Sequence, residues 1–281
     1  MKRGLVLEGG ALRGLFTAGV TDVMMENGID FDGMVGVSAG AAFGCNYKSR
    51  QPGRVLRYNK RFINDWRYCS VRSFITTGNL FGGEFNYHTL PEKYDIFDSE
   101  TFDANPMEYY AVCTDLLTGK PIYKLLMNHG YDCSEWIRAS ASMPIVSTIV
   151  EVEGYKVLDG GIGDSIPLKF FQDKGYDRNV VVLTQPDGFV KKPNSLMPLI
   201  RMQLHKYPRF IEAAANRHVM YNAELEYVRS EEKAGRAFVI RPRKALPIKH
   251  ITHNVDLLQQ AYEEGRSVMQ DQLSSLKEFI R

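Results

Sequence analysis

The chain has 281 residues, of which 44% are hydrophobic and 24% are charged, and its formal net charge is +2. This usage is that of an ordinary globular protein, so disordered and fibrous classes are excluded, and the length allows a sizeable core. So small a net charge indicates no nucleic-acid partner. The first apolar run is too short for a signal peptide, and no later run approaches the roughly 18 residues of a membrane-spanning helix. We therefore expect a cytoplasmic protein.

Two units of strand, glycine-containing turn and helix occupy the first fifty residues. Arg3–Leu7 is predicted to be a buried strand, and an amphipathic helix ending near Asn27-Gly28 follows its turn. Phe31–Val37 is predicted to be a second strand, which runs into Ser38 and a helix of small residues. This alternation predicts an α/β fold with a largely parallel sheet.

The remaining elements are less regular. Strands are predicted at Glu108–Thr114, Arg178–Thr184 and Ala237–Arg241, and a hairpin at Thr148–Val152 and Tyr155–Leu158. Helices are predicted at Gly53–Trp66, at Cys133–Ser142, and at about 195–230 and 255–280. No repeat or linker interrupts the chain, so we predict one domain over 1–281, with a motif-bearing core at about 1–185 and a helical C-terminal part at about 190–281.

Cysteine spacing and charge distribution each suggest one property. The cysteines form no C-x-x-C pair and no metal-ligand pattern, so we expect reduced, buried thiols and no metal. They are Cys45, Cys69, Cys113 and Cys133. Between Val190 and His250 the chain has thirteen basic and five acidic residues. This bias predicts either a solvated helix surface or peripheral contact with anionic lipid at the inner face of the membrane.

The first chemical motif is Gly36-Val37-Ser38-Ala39-Gly40, which fits G-x-S-x-G between a predicted strand and a predicted helix. This is the context of a nucleophile elbow, whose sharp turn exposes the serine hydroxyl at the start of a helix. The helix dipole there favours developing negative charge. A structural alternative is a tight turn in which Ser38 only caps the helix.

A second glycine motif lies at the other strand–helix junction, at residues 9–14 (GGALRG). Its small residues present backbone N–H groups, as an oxyanion hole requires. The glycine spacing fits neither the dinucleotide fingerprint nor the P-loop. A third motif, Asp159-Gly160-Gly161, follows the predicted hairpin. It predicts a tight turn that brings a carboxylate to another loop, although D-G pairs are also common in ordinary turns.

Together these motifs resemble the patatin-like phospholipases: G-G-x-x-R-G, then G-x-S-x-G, then D-G-G, in this order. The block Ala139–Pro144 is also similar to a small-residue block of that family. The resemblance covers about Gly4–Pro167, and no motif matches beyond it. It implies a three-layer α/β/α sandwich with a mixed, largely parallel sheet. It further implies hydrolysis of fatty-acyl esters of lipids by a serine–aspartate dyad, without histidine, metal or cofactor.

The resemblance assigns a role to each matching position. Ser38 takes the place of the nucleophile and Asp159 that of its base. The oxyanion hole corresponds to Gly9, Gly10 and Ala11, and the supporting positions are Arg13, Gly14, Gly36, Gly40, Gly160 and Gly161.

Two positions depart from the family pattern. Ala11 stands where the family usually has glycine, and Ser165 where it often has asparagine. We expect Ala11 to have a negative φ, because alanine in a left-handed conformation is strained.

Several alternatives stay open at this point. The histidines that follow Asp159 in the chain permit a Ser–Asp–His triad of the α/β-hydrolase type. These are His205, His218, His250 and His253. A non-hydrolytic lipid-binding protein of the same fold is a further alternative. Residues 62–87 are rich in aromatic side chains and glycine, so they form a lid, a wall for an acyl chain, or ordinary core.

Overall fold

The computed structural model describes residues 1–248 and 251–281. Eight strands form one mixed sheet in this part of the chain, in the order β5-β6-β3-β2-β1-β7-β8, with β4 paired to β3 outside this order. The strands are β1 Lys2–Leu7, β2 Gly33–Val37, β3 Glu108–Asp115, β4 Pro121–Leu125, β5 Val150–Val152, β6 Tyr155–Asp159, β7 Tyr176–Val182 and β8 Ala237–Ile240. Neighbours from β3 through β2, β1 and β7 to β8 are parallel, and the pairs that involve β4, β5 or β6 are antiparallel.

Ten α-helices connect and cover these strands within the described ranges. They are α1 Gly14–Glu26, α2 Ala39–Lys48, α3 Arg54–Phe62, α4 Val71–Thr77, α5 Ser99–Ala104, α6 Tyr131–Ser140, α7 Leu168–Asp173, α8 Met197–Gln203, α9 Pro208–Lys233 and α10 Val255–Phe279. A π-helical segment covers Phe85–Tyr94. No helix in the described residues is both long enough and apolar enough to cross a membrane.

Alternation along the central strands divides the core between the two faces of the sheet. In β1, Leu5 and Leu7 pack on one face with α1, α2, α6 and α10, whereas Val6 packs on the other face with α7 and α9. A period of two along a strand sends successive side chains to opposite faces. The result is the expected three-layer α/β/α sandwich.

The helix α10 packs against α1 at a very close crossing. A Cβ atom added at Gly19 would overlap the Tyr262 carbonyl oxygen, and one added at Gly265 would overlap the Phe16 carbonyl oxygen. The last helix therefore packs directly on the first, on the face of the sheet that holds the larger core cluster.

Most predicted elements are present, with some differences at their ends. The predicted hairpin forms, with Val152 opposite Tyr155. The long helix expected over about 195–230 is instead two helices, α8 and α9, because Pro208 cannot continue a helix but readily begins one. The strand β4 and the π-helical segment had no clear signal in the sequence. All four cysteines are free and buried, as expected.

Candidate active site

Strand register brings the three sequence motifs to one edge of the sheet. Parallel pairing sets Leu7 of β1 beside Gly36 of β2, so the loop after β1 and the turn after β2 are neighbours. β2 in turn pairs with β3 in parallel. The antiparallel strand β6 sets Asp159 beside Cys113 near the end of β3. Residues distant in sequence thus meet where these strands end.

Ser38 has the strained backbone of a nucleophile elbow. Its φ of 54° and ψ of −120° lie outside the common regions, directly between β2 and α2. The flanking glycines allow this turn, because a Cβ at Gly36 would lie 2.6 Å from the Gly40 carbonyl carbon. A Cβ at Gly40 would overlap the Leu7 carbonyl oxygen. Strain of this kind persists where surrounding structure enforces it, often at active sites.

Asp159 is buried at the end of β6, and its carboxylate faces the elbow. Its Oδ1 accepts a hydrogen bond of 2.8 Å from the Gly161 N–H. Burial raises the pKa of Asp159, while the positive charge of Arg217 and the nearby Ser38 hydroxyl oppose that rise. A general base is most effective when its pKa lies near the working pH, and a raised pKa brings the Asp159 carboxylate closer to that condition. Gly160 is required beside it, since a Cβ there would overlap the Val112 carbonyl oxygen.

The small-residue block at the end of α6 holds the backbone of both Ser38 and Asp159. The Ser140 hydroxyl accepts a hydrogen bond of 2.9 Å from the Ser38 N–H and donates one of 2.6 Å to the Val112 carbonyl oxygen. Two residues later, the Ser142 carbonyl oxygen accepts a 2.8 Å bond from the Asp159 N–H. One segment therefore fixes the backbone of both Ser38 and Asp159. Sequence similarity singled out this block but not its bonds.

The loop after β1 lies directly against Ser38. A Cβ at Gly9 would be 2.9 Å from the Ser38 Cβ, and one at Gly10 would be 2.6 Å from the Thr184 hydroxyl oxygen. The N–H groups of Gly9 and Gly10 donate to no protein acceptor among the described residues. Ala39, as the first residue of α2, also has an N–H without an intrahelical acceptor. These are donors of the kind that stabilise an oxyanion.

The expected conformation of Ala11 is wrong. Its φ is +48°, in the left-handed region that glycine adopts most easily. Ala11 is the second residue of a tight turn in which the Arg13 N–H donates to the Gly10 carbonyl oxygen at 3.1 Å, and a positive φ at that position is typical of the primed turn types. Gly14 then lets α1 begin close to α2, because a Cβ there would lie 2.9 Å from the Ala39 Cβ.

Ser38 lies where two cavities of opposite character meet, and Ala11 and Met143 also line both. The first cavity, of about 120 Å³, is mainly apolar and extends among aromatic and aliphatic side chains. These include Phe43, Tyr58, Tyr68, Phe81, Leu90 and Ile137. The second cavity, of about 60 Å³, is lined by charged side chains. An apolar chain on one side of the serine and a polar group on the other fit this arrangement.

The charged cavity contains residues that the sequence did not single out. Glu8 is buried, and it accepts hydrogen bonds of 2.5 Å each from the Tyr221 hydroxyl and the Thr184 N–H. Burial raises its pKa. Lys191 and Arg217 lie in the same cavity, and burial lowers the pKa of Lys191 to about 8. The position of Glu8 directly before the glycine motif could have indicated its place in the site. Lys191, Arg217 and Tyr221 belong to no sequence motif.

The expected histidine alternatives lie away from the two cavities. His205, His218 and His253 line neither of them. Their ring nitrogens lie within hydrogen-bond distance of the backbone carbonyl oxygens of Met202, Ala215 and Ile63, respectively. His250 lies outside the described residues.

The aromatic segment 62–87 forms both core and cavity wall. Phe62 and Phe85 are buried in a hydrophobic cluster beside α2 and α3. Tyr68, Phe81 and Tyr87 line the apolar cavity. Core and cavity wall, two of the possibilities that the sequence left open, are thus taken by different residues of this segment.

Family models and known proteins match different parts of this chain. The family model for patatin-like phospholipase matches residues 5–171, and that of a domain of unknown function matches residues 207–281. The Escherichia coli K12 protein YjjU is 29% identical over 93% of this chain and 74% of its own length. A VipD structure from Legionella pneumophila covers 98% of this chain and 67% of its own, with 10% identity and a TM-score of 0.49.

Fungal lysophospholipases are also similar to the chain. Those of Aspergillus oryzae and Saccharomyces cerevisiae are 29% and 28% identical over 62% and 61% of this chain. The matched segment spans only 11% and 10% of their own lengths. The family match covers more than half of the chain and contains every motif described above. The chain therefore belongs to the patatin-like phospholipase family, and at the level of that family it is a lipid acyl hydrolase.

Proposed function

We propose that the protein is a serine esterase that cleaves a fatty-acyl ester, with Ser38 as nucleophile and Asp159 as its base. The observation that carries this proposal is the buried carboxylate of Asp159 facing the strained serine, in a site where both are fixed by the segment 140–142. A pure lipid-binding protein has no need of that strain, nor of unpaired N–H groups beside the serine.

The reaction proceeds in two steps. Asp159 accepts the Ser38 hydroxyl proton as the oxygen attacks the ester carbonyl, and the oxyanion receives hydrogen bonds from the Gly9 and Gly10 N–H groups. The tetrahedral intermediate collapses, the C–O bond of the ester breaks, and Asp159 returns the proton to the leaving alkoxide. A water molecule then gives its proton to Asp159 and attacks the acyl-serine. Ser38 leaves with that proton, and a fatty acid is released.

The apolar cavity supports a substrate with one acyl chain beside the serine. It starts at Ser38, and its aromatic and aliphatic lining suits a hydrocarbon. The similarity to fungal proteins named lysophospholipases agrees with a single-chain ester. We therefore assign the chain, as a proposal, to the lysophospholipase type of lipid hydrolase.

Peripheral contact with a lipid surface is part of the proposal, although the basic stretch alone does not carry it. Several of its arginines are held in ion pairs, namely Arg229, Arg236, Arg241 and Arg243. Better support comes from exposed apolar side chains, Val71 and Ile75 on α4 and Met202 on α8.

Both of these helices border the segment that follows Met143. The Thr148 N–H donates to Asn79 beyond α4 at 2.9 Å, and the Ile145 N–H donates to Gln203 of α8 at 2.8 Å. Because Met143 lines both cavities, the exposed apolar surface adjoins the proposed active site. Lipid contact on this side would bring the substrate next to the cavities.

The decisive experiment compares Ser38→Ala and Asp159→Asn on a short-chain aryl ester. Each is expected to lower kcat by about 10³-fold or more, and the double variant no further, because the two residues act as a unit. A folded Asp159→Asn protein that keeps a tenth of the activity would exclude this dyad.

The control variants address the alternatives. Alanine at His205, His218 or His253 is expected to leave kcat within about tenfold, and loss of activity in a folded variant would favour a triad. Mass-spectrometric mapping of a fluorophosphonate adduct is expected to find Ser38, whereas an unlabelled protein would indicate a lipid-binding role.

A further inference from the structure

One face of α9 contacts two separate parts of the proposed active site. Arg217 and Tyr221 lie four residues apart, a spacing that places both side chains on the same face of a helix. Both line the charged cavity together with Ser38 and Asp159. The helix begins beyond the segment 5–171 that matches the family. A helix outside the family segment therefore reaches the candidate catalytic residues.

Arg217 holds the turn that carries Asp159. Its Nε donates to the Gly161 carbonyl oxygen at 2.5 Å, and the Ser165 hydroxyl donates to the same oxygen at 2.7 Å. The Gly161 N–H in turn donates to Asp159 Oδ1 at 2.8 Å. Two turns further along α9, Glu224 accepts a hydrogen bond of 3.2 Å from the Ser165 N–H. The helix thus fixes the residue that orients the Asp159 carboxylate.

Tyr221 holds the loop after β1 through Glu8. Its hydroxyl donates to Glu8 Oε1 at 2.5 Å, and both residues are buried. The other carboxylate oxygen of Glu8 accepts from the Thr184 N–H at 2.5 Å, and the Thr184 hydroxyl donates to the Gly9 carbonyl oxygen at 3.1 Å. Glu8 directly precedes Gly9 and Gly10, whose N–H groups are the proposed oxyanion donors. A satisfied buried network of this kind rigidifies the groups that it joins.

Arg217 also acts on Asp159 through its charge. Burial raises the pKa of Asp159, and the positive charge of Arg217 is the largest influence against that rise. Other ionisable side chains lie beside this carboxylate or in the same cavity, and they are unchanged when Arg217 alone is replaced. They are Glu8, Arg13, Tyr87, Cys113, Lys191 and Tyr221.

We propose that Arg217 and Tyr221 are positioning residues for the esterase reaction, Arg217 for the base Asp159 and Tyr221, through Glu8, for the loop after β1. The inference rests on the proposed function and gives the helix α9 a part in it. Neither side chain needs to touch the ester, because each acts through groups that do. A base and oxyanion donors lower a barrier only while their geometry is held in place.

Variants of the two residues are compared with variants of exposed or remote neighbours on α9. We would measure kcat and KM on a short-chain aryl ester, per serine labelled to completion by a fluorophosphonate, so that unfolded protein is not counted. Arg217→Met is expected to lower kcat at least about tenfold, as loss of a charged hydrogen-bond partner does, with KM within about threefold. Its control, Arg209→Met, removes an exposed arginine and is expected to keep kcat within about twofold.

Tyr221→Phe removes one hydroxyl and keeps the packing of the ring. It is expected to lower kcat about tenfold, because the buried Glu8 carboxylate loses a donor. Its control is Tyr227→Phe, which removes a hydroxyl that bonds Gln172 instead. This variant is expected to keep kcat within about twofold.

The pH profile separates a positioning role from a loss of stability. As pH falls through the pKa of Asp159, the base becomes protonated and kcat/KM is lost. Without the charge of Arg217 that pKa rises, so the acidic limb of Arg217→Met is expected to lie at higher pH than that of the wild type. Arg217→Lys keeps a charge and a donor, and it is expected to return the limb toward its wild-type position. A merely structural role would leave the limb in place.

The outcomes separate this inference from the proposed function. If wild-type protein neither hydrolyses the aryl ester nor is labelled at Ser38, the proposed function is wrong. If the wild type is active and folded Arg217→Met and Tyr221→Phe keep more than half of its kcat, the positioning roles are wrong. A raised KM with unchanged kcat would likewise overturn them in favour of substrate binding. Should Arg217→Met not fold, Arg217→Gln keeps a donor without the charge, and an unmoved acidic limb in that variant would overturn the role of Arg217.

Discussion

Replacement of Ala11 by glycine tests the strain in the loop after β1, the proposed oxyanion hole. Ala11 has a φ of +48°, and its methyl group is only partly buried, at the meeting point of the two cavities. Glycine adopts this backbone conformation without the steric penalty of a Cβ atom. The substitution keeps the N–H group, so it changes strain and leaves the donors of the loop in place.

The expected effect on stability is a balance of three terms. Relief of the left-handed strain at Ala11 contributes about 1–2 kcal/mol. Greater freedom of the unfolded glycine chain costs about 0.4–1 kcal/mol. Loss of a partly buried methyl costs less than the about 0.8 kcal/mol of a fully buried one. The net change is thus near zero or slightly stabilising, about 0–0.5 kcal/mol.

A matched variant makes this small change measurable. Ala223 is exposed in the middle of α9, where replacement by glycine costs about 1 kcal/mol of helix stability. Ala11→Gly is therefore expected to exceed Ala223→Gly by about 1–1.5 kcal/mol in the free energy of unfolding. Urea unfolding of the two variants and the wild type measures the difference, and esterase activity of Ala11→Gly should stay within a few-fold. Equal destabilisation by both changes would refute the strain argument.

Two further predictions concern pH and lipid binding. Burial beside Asp164 raises the pKa of Glu224, so the folded state keeps a proton that the unfolded state loses above about pH 5, and stability falls as pH rises. In the variant Glu224→Gln, the free energy of unfolding measured with urea should decline less steeply between pH 6 and 8, by up to about 1.4 kcal/mol per pH unit. An unchanged slope would show that Glu224 does not keep a proton in the folded state. Binding to anionic vesicles should weaken as the salt concentration rises from about 0.01 to about 0.15 M, because salt screens exposed charges. Binding should also weaken in the double variant Ile75→Ser and Met202→Ser, which removes two exposed apolar side chains. Binding unaffected by either change would argue against this surface.

Much of the candidate site was predictable because its geometry is local. A nucleophile elbow needs two glycines around one serine, and the oxyanion loop and the Asp159 turn are equally short. Each of these turns needs either the backbone freedom of glycine or one particular side chain, and neighbouring residues in the sequence supply both. Strand–turn–helix alternation likewise predicted parallel pairing of β1 and β2, and this pairing then brings the first two motifs together.

The backbone of Ala11 shows where local reasoning fails. Alanine alone favours negative φ, but Ala11 is the second residue of the tight turn closed by the Arg13 N–H and the Gly10 carbonyl oxygen, and this turn has a positive φ there. Packing of β1 against its neighbours fixes where that turn must start. Local preference of about 1–2 kcal/mol is small beside the packing of a buried strand end.

The sequence by itself determined the fold class, the nucleophile and base proposed here, and the family, because these depend on short motifs in a fixed order. Only the tertiary structure decided the content of the charged cavity. Arg217 reaches the Gly161 carbonyl oxygen from a helix 56 residues further along the chain, and Lys191 is held by that same helix. Contacts of this kind leave no spacing pattern, because any side chain of suitable length on a packed helix can make them.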